Sequence, residues 1–119
     1  MKITSAESQI MDALWRLGPL TSEEINAEVG VRQGWGEATV RTLTHRLLRK
    51  KAVAGERGQR RYAYRPLVAR ADYVQDESQS LLDRLFDGQL SPLVAHFANS
   101  RRITPEEAER LRKLLDALD

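Results

Sequence analysis

Arginine and lysine are concentrated in residues 41–65, and their chemistry is the clearest that the sequence offers. This segment contains nine basic residues and one acidic residue, Glu56. The basic residues are Arg41, Arg46, Arg49, Lys50, Lys51, Arg57, Arg60, Arg61 and Arg65. Positive charges grouped in this way attract polyanions, because the fields of neighbouring side chains add. The segment therefore predicts a surface that binds a polyanion.

No group of residues in the sequence is suited to catalysis or to metal binding. The chain has no cysteine, which excludes disulfides, thiolate metal sites and cysteine nucleophiles. The two histidines, His45 and His96, have no carboxylate nearby at metal-ligand spacing. No serine lies in a nucleophile-elbow motif. We therefore expect no enzyme activity, no cofactor and no metal site.

The balance of charge changes sign along the chain and suggests two domains. Residues 1–67 contain 12 Lys and Arg against 7 Asp and Glu, a net charge of +5. Residues 68–119 contain 7 against 10, a net charge of −3. A chain of 119 residues is long enough for one or two small domains. We predict a polyanion-binding domain at 1–67 and a domain with a different task at 68–119.

Two capping boxes mark the starts of the first two helices. In a capping box a threonine hydroxyl accepts the backbone N–H three residues later, and a glutamate there reaches back to the threonine N–H. The two pairs are Thr4 with Glu7 and Thr21 with Glu24. We expect the second helix to be short and to end at Gly30, since glycine commonly follows a helix C-terminus.

A third helix and a hairpin complete the basic half of the chain. Apolar residues recur at helical spacing after the turn at 34–36, up to about Lys51. They are Val40, Leu43, Leu47 and Leu48. Short strands are predicted at 52–56 and 60–65, with a two-residue turn in which Gly58 has a positive φ. Three helices and a basic hairpin are typical of a winged helix, so the predicted fold is mainly α with a small β-hairpin wing.

The outward face of the third helix is the predicted DNA-contacting surface. With its apolar side turned inward, small, hydroxylic and basic side chains point outward or lie on the flanks. In a winged helix this helix enters the major groove, and the wing contacts phosphates or the adjacent minor groove. The predicted DNA-binding residues are Thr39, Arg41, Thr42, His45, Arg46 and Arg49 on the helix, and Arg57, Gln59, Arg60 and Arg61 on the wing.

Two other functions are compatible with these features. The basic face could dock an acidic protein partner, in which case the winged helix would serve protein–protein assembly. A regulator gated by a small ligand is the other alternative, although no convergent cluster of polar residues suggests a ligand pocket. A binding assay with promoter DNA and excess random competitor distinguishes DNA binding from assembly.

The acidic half of the chain is predicted to be a helical dimerisation domain. Its helices have one-sided leucine stripes, which a monomer would leave in contact with water. The predicted interface residues are Leu81, Leu82, Leu85, Phe86, Leu111, Leu114, Leu115 and Leu118. A homodimer also has a function, because it presents two third helices to the two halves of an inverted repeat.

The sequence resembles the penicillinase-repressor (BlaI/MecI-type) family over nearly its whole length. The resemblance is carried by WGEATVRTLTHRL at 35–47, the basic residues that follow, and YAYRP at 62–66. The segments from 3–7 to 14–15, at 18–21 and at 82–88 are similar as well. It implies a homodimeric repressor with an N-terminal winged helix that binds an inverted-repeat operator. It also implies that Thr39, Arg41 and Thr42 face the DNA.

The resemblance further implies a means of release from DNA. In well-known members, a membrane-bound sensor metalloprotease triggers cleavage between an asparagine and a phenylalanine of the dimer domain. The aligned pair here is His96-Phe97, which makes it the candidate cleavage site, although Phe97 can equally be a core residue. Copper-responsive members have a cysteine-rich tail, and the absence of cysteine leaves metal sensing unsupported.

The sequence predicts a cytoplasmic protein. Glu7, Asp12 and Arg16 interrupt the apolar run that a secretion signal would need in residues 1–20. No segment approaches the roughly 20 apolar residues required to cross a bilayer. We expect no direct insertion into a membrane.

Overall fold

The computed structural model describes residues 2–118, so Met1 and Asp119, the ends of the two predicted domains, lie outside the described residues. The chain separates into two compact units, Met1–Tyr73 and Val74–Asp119. The elements are α1 (Ser5–Leu17), β1 (Leu20–Thr21), α2 (Ser22–Ile25), a π-helical segment (Asn26–Gly30), α3 (Val31–Gln33), α4 (Glu37–Arg49), β2 (Val53–Arg57), β3 (Tyr62–Pro66), α5 (Arg70–Phe86), α6 (Leu90–Asn99) and α7 (Pro105–Asp116). The expected mainly helical fold with a small sheet is confirmed. The functional division at residue 67 stays a prediction.

The first helix, α1, begins where its capping box predicts. The Thr4 hydroxyl accepts the Glu7 N–H at 3.2 Å, and the Glu7 carboxylate accepts the Thr4 N–H at 2.8 Å. Ile10, Met11 and Leu14 lie on the inward face of α1 and are almost completely buried. These side chains form the centre of the core of the first unit.

The capping residue Glu7 also forms a buried ion pair. Its side chain is fully buried, and the Lys50 ammonium group, just after α4, donates a hydrogen bond to it. Burial alone would raise the pKa of Glu7, but the hydrogen bonds from Lys50 and Thr4 lower that pKa below its ordinary value of 4.5. Lys50 also donates to the carbonyl oxygen of Lys2 at 2.7 Å. The ion pair thereby joins the start of α1 to the end of α4.

The second helical stretch does not end at Gly30, and that prediction is wrong. Gly30 has a helical φ of −58°, and the stretch continues through α3 to Gly34, whose φ of 74° is left-handed. Glycine is needed at position 30 for a different reason. A Cβ there would lie 2.5 Å from Oδ1 of Asn26 and 3.0 Å from Cγ2 of Val40. The absent side chain is what allows α4 to pack closely against this stretch.

The wing is part of a three-stranded antiparallel sheet with strand order β1-β3-β2. The two-residue strand β1 was not predicted from the sequence. It pairs with β3, so that Leu20 lies opposite Tyr64 and Thr21 lies opposite Ala63. Both Leu20 and Tyr64 are buried, which attaches the sheet to the core.

The loop of the wing is longer than the sequence predicts. Arg57 pairs with Tyr62 in the β2–β3 register, which leaves the four residues 58–61 in the loop. The N–H of Gly58 donates to the carbonyl oxygen of Arg61 at 2.7 Å. Gly58 does not have a positive φ, so the predicted two-residue turn is wrong.

The second unit consists of helices without a buried core of their own. No residue of α5, α6 or α7 is classed as buried. At the start of α7 the Thr104 hydroxyl accepts the Glu107 N–H at 3.1 Å, and the Glu107 carboxylate pairs with Arg110. Among residues 2–118, no helix is both long enough and apolar enough to cross a membrane.

We expect Glu7→Gln to lower the free energy of unfolding at neutral pH by about 1–3 kcal/mol, because glutamine keeps the cap but leaves Lys50 without its carboxylate. The pKa of Glu7 is lowered in the folded state, so its contribution is complete above pH 4.5 and is lost as the pH falls through the folded-state pKa. Urea unfolding at several pH values measures this. The gap between wild type and variant should close in acid, and a gap independent of pH would contradict the assignment.

Candidate nucleic-acid interface

The orientation of α4 is determined by one buried stripe. Val40, Leu43 and Leu47 are at most 5% exposed, as the helical spacing predicts. Thr44 is also buried, and its hydroxyl donates to the carbonyl oxygen of Val40 at 2.8 Å, which satisfies the polar group inside the core. Since this side of α4 is fixed inward, the opposite side must face solvent.

All the α4 residues predicted to contact DNA are exposed. They are Thr39, Arg41, Thr42, His45, Arg46 and Arg49. They line shallow depressions along the outer surface of the helix, one bordered by Thr42, His45 and Arg49, and another by Thr39, Thr42 and Arg46. Within residues 2–118, none of the three arginines of α4 forms an ion pair. Their charges are therefore available to an external anion.

The start of α4 has no side-chain cap and borders an open depression. Its N-cap is Gly36, whose φ of −81° and ψ of 171° are extended, and no side chain caps the helix there. Glu37 and Arg41 border a depression of about 520 Å³ together with Ser22, Glu23 and Asn26. Glu37 puts a negative charge at the N-terminus of α4, the helix that carries the exposed arginines. The first turn of α4 is thus less basic than the rest of its outer face.

The wing residues fall into two groups by their contacts. Arg57, Gln59 and Arg60 are exposed, and neither of these arginines forms an ion pair with any described residue. Arg61 instead donates to Oε1 of Glu24 at 2.6 Å. The backbone N–H of Thr21 holds the pKa of Glu24 below its ordinary value, and Arg61 lowers it further.

The nine basic residues of segment 41–65 fall into two sets, according to whether they pair with a carboxylate. Three are engaged with carboxylates: Lys50 with Glu7, Arg61 with Glu24, and Arg65 with Glu56. The six that pair with no described carboxylate are Arg41, Arg46, Arg49, Lys51, Arg57 and Arg60. The three acidic partners lie between 9 and 43 residues away from their bases, so no local sequence pattern reveals these pairs.

The residues predicted to form a dimer interface are exposed or partly exposed in the single chain. Leu81, Leu85, Leu114, Leu115 and Leu118 are between 38% and 72% exposed. Leu82, Phe86 and Leu111 are partly exposed. Within residues 2–118 there is no cluster of three or more His, Cys, Asp or Glu residues suited to a metal ion. The leucines of the second unit therefore form apolar surface that is exposed in the single chain.

The candidate cleavage pair His96-Phe97 lies inside α6, in the last turn before its end at Asn99. The His96 and Phe97 rings meet edge to face, with centroids 5.2 Å apart. The Phe86 ring lies 6.1 Å from that of His96. Phe97 is 42% exposed, so it is not a core residue of the single chain.

Comparison of the sequence with known proteins finds one matching family and several relatives. The family described as penicillinase repressor matches residues 3–117. A penicillinase repressor of Bacillus licheniformis is 27% identical over 115 residues, which cover 97% of this chain and 90% of that protein. The methicillin resistance regulatory protein MecI of Staphylococcus aureus is 26% identical over 115 residues, which cover 97% of this chain and 94% of that protein.

A solved structure matches the fold. The solution structure of the Bacillus licheniformis BlaI monomeric form in complex with the blaP half-operator aligns with a TM-score of 0.57 and 26% sequence identity. The alignment covers 61% of this chain and 89% of that one. This likeness confirms the winged-helix class predicted from three helices and a basic wing.

Proposed function

The chain belongs to the penicillinase repressor family, and from this premise we propose that it represses transcription by inserting α4 into the major groove of an operator. As a member of that family it is a DNA-binding repressor and not an enzyme. The observation that carries the proposal is the outer face of α4, where exposed hydroxyls accompany three arginines that pair with no described carboxylate. Hydroxyl and guanidinium groups are the donors that contact base edges and phosphates.

The half-operator complex of BlaI supports operator binding. That protein, which shares the fold, is in its monomeric form in the complex. One winged helix is therefore sufficient to engage half of an operator in that case. We assign Arg41 and Thr42 to base contacts, because both are exposed on α4 and carry donors that can reach base edges. The remaining predicted residues on α4, together with Arg57, Gln59 and Arg60, are assigned to phosphate or sugar contacts.

We also propose that the second unit forms a homodimer through its exposed leucines. The stripe on α7 contains Leu114, Leu115 and Leu118, each at least 65% exposed, and a lone chain would leave this apolar surface in water. A second copy supplies an identical stripe, which a two-fold interface can bury against the first. The dimer would then hold two α4 helices on the two halves of an inverted repeat.

Release from DNA by proteolysis at His96-Phe97 belongs to the same proposal. A protease binds its substrate in an extended form, and both residues are helical in α6. Cleavage therefore requires this helix to unwind locally. The resemblance to sensor-linked repressors supports a membrane-bound metalloprotease system acting upstream, and the cytoplasmic location of the repressor stays a prediction.

The main alternative is an assembly module whose basic face docks an acidic protein. A gel mobility shift distinguishes operator binding from protein docking. It uses a promoter fragment from the gene that encodes this chain, with excess random DNA as competitor. A complex that survives the competitor supports operator binding. If the competitor displaces the promoter fragment as readily as it displaces labelled random DNA, the assembly module is favoured.

We expect Arg41→Ala and Thr42→Ala each to weaken operator binding by about 1–3 kcal/mol per half-site, because each removes a contact to a base edge. Binding to random DNA should change much less. Arg102→Ala is the matched control, since Arg102 is an exposed arginine of the second unit. Fluorescence anisotropy on both DNAs measures the ratio. Equal losses on operator and random DNA would contradict base contacts by these residues.

We expect Leu115→Asp to dissociate the dimer, because an unpaired carboxylate would be buried in an apolar interface. Leu115 is 65% exposed in the single chain, so each subunit should remain folded. Operator affinity should fall about 100-fold or more once the second winged helix is no longer tethered nearby. Lys113→Asp puts the same side chain on the opposite face of α7 and should leave the dimer intact. A variant that sediments as a dimer and keeps its operator affinity would contradict this interface.

A further inference from the structure

Among residues 2–118, the Arg61–Glu24 ion pair is the one that connects the tip of the wing to the body of the first unit. Building on the proposed function, we infer that this pair positions the wing on DNA, so that Arg61 acts through Glu24 while Arg60 contacts the phosphate. Arg61 is then a positioning residue and not a phosphate contact. This separates two adjacent arginines that composition alone treats as equivalent.

The Glu24 carboxylate is fixed in place independently of Arg61. Its Oε1 accepts the backbone N–H of Thr21 at 2.9 Å, and the Glu24 N–H donates to the Thr21 hydroxyl at 3.1 Å. Thr21 in turn is paired with Ala63 across β1 and β3. A carboxylate held by its own helix cap loses little conformational freedom when Arg61 binds it. Glu24 is therefore a preorganised acceptor for a guanidinium group.

The other end of the pair lies in the loop that has to be ordered. Arg61 is the last residue of the four-residue loop 58–61, and its backbone carbonyl accepts the N–H of Gly58 at 2.7 Å. Its guanidinium group donates to Glu24, which lies 37 residues earlier in the sequence. The ion pair thereby ties the wing loop to the start of the second helical stretch. The same stretch packs against α4 further along, where Gly30 lies beside Val40. The wing and α4 are thus held against the same stretch.

The charges around the pair divide the work between the two arginines. Arg61 and Glu24 neutralise each other, and their side chains are 51% and 43% exposed. Arg60 is exposed and pairs with no described carboxylate, so its charge can neutralise a phosphate. An exposed ion pair contributes little to stability. Its benefit is that the loop is ordered before DNA binds, which reduces the entropic cost of binding.

The test is the double variant Glu24→Gln with Arg61→Gln, studied in the full chain. It removes one negative and one positive charge, so the net charge of the wing is unchanged. Glutamine retains the capping box, so α2 should still form. The affinity for a short random-sequence duplex is measured over a range of salt concentrations. We expect affinity to fall about two- to five-fold per wing, the size of an exposed ion pair, with an unchanged salt slope.

Arg60→Gln is the matched control, because it removes a neighbouring charge that forms no such ion pair. It should reduce the magnitude of the salt slope by about 0.9 per bound wing, the value for one neutralised phosphate. The same reduction should occur in the double-variant background. Arg61→Gln alone should weaken binding more than it does in the Glu24→Gln background, since it leaves the Glu24 carboxylate uncompensated near phosphates.

Two results would overturn the inference while leaving the proposed function intact. A salt slope reduced by about 0.9 per wing in the double variant would make Arg61 a phosphate contact. Unchanged affinity in that variant would show that the pair positions nothing. A wild-type chain that does not bind duplex DNA at all would contradict the proposed function itself. Thermal unfolding of every variant verifies that it is folded, and Arg61→Gln alone still gives the slope if Glu24→Gln fails to fold.

Discussion

The burial of one stripe of α4 is the constraint on which the interface depends. Val40, Leu43 and Leu47 are almost completely buried in the core. Because an α-helix repeats every 3.6 residues, fixing these three side chains inward leaves no choice about which residues face outward. The hydroxyls and arginines of the outer face are exposed to solvent because the opposite face is buried in the core. One face of α4 is therefore needed for folding, and the opposite face is the one that we propose contacts DNA.

Three ion pairs refine the electrostatic picture that composition alone provides. The pairs of Glu7, Glu24 and Glu56 occupy three of the basic residues that composition assigned to polyanion binding. Lys50 joins the end of α4 to the start of α1, and Arg61 ties the wing loop to the start of α2. Arg65 of β3 pairs with Glu56 of β2. Of the six cations that remain, three lie on the outer face of α4 and two on the wing, and Lys51 lies between α4 and β2. The proposed DNA contacts are therefore fewer but better positioned than the count of basic residues implies.

Local signals predicted the helices, and long-range contacts account for what sequence analysis missed. The capping boxes at Thr4 and Thr21 form as expected because all their atoms lie within four residues of one another. Gly30 was misassigned because its role depends on Val40, which approaches from another helix. The strand at Leu20–Thr21 is too short for an alternating pattern and exists through its pairing with β3. The ion-pair partner of Arg61 could not be predicted from the sequence for the same reason. No local pattern identifies a carboxylate 37 residues away.

We propose that two copies of α4 contact the two halves of an inverted repeat. Selection of bound sequences from a random DNA library by the purified wild-type chain tests it most directly. We predict enrichment of one half-site present twice in inverted orientation, with the two centres separated by a whole number of turns of about 10.5 base pairs. A bound pool with no enriched sequence, or with a single unpaired half-site, would contradict the claim.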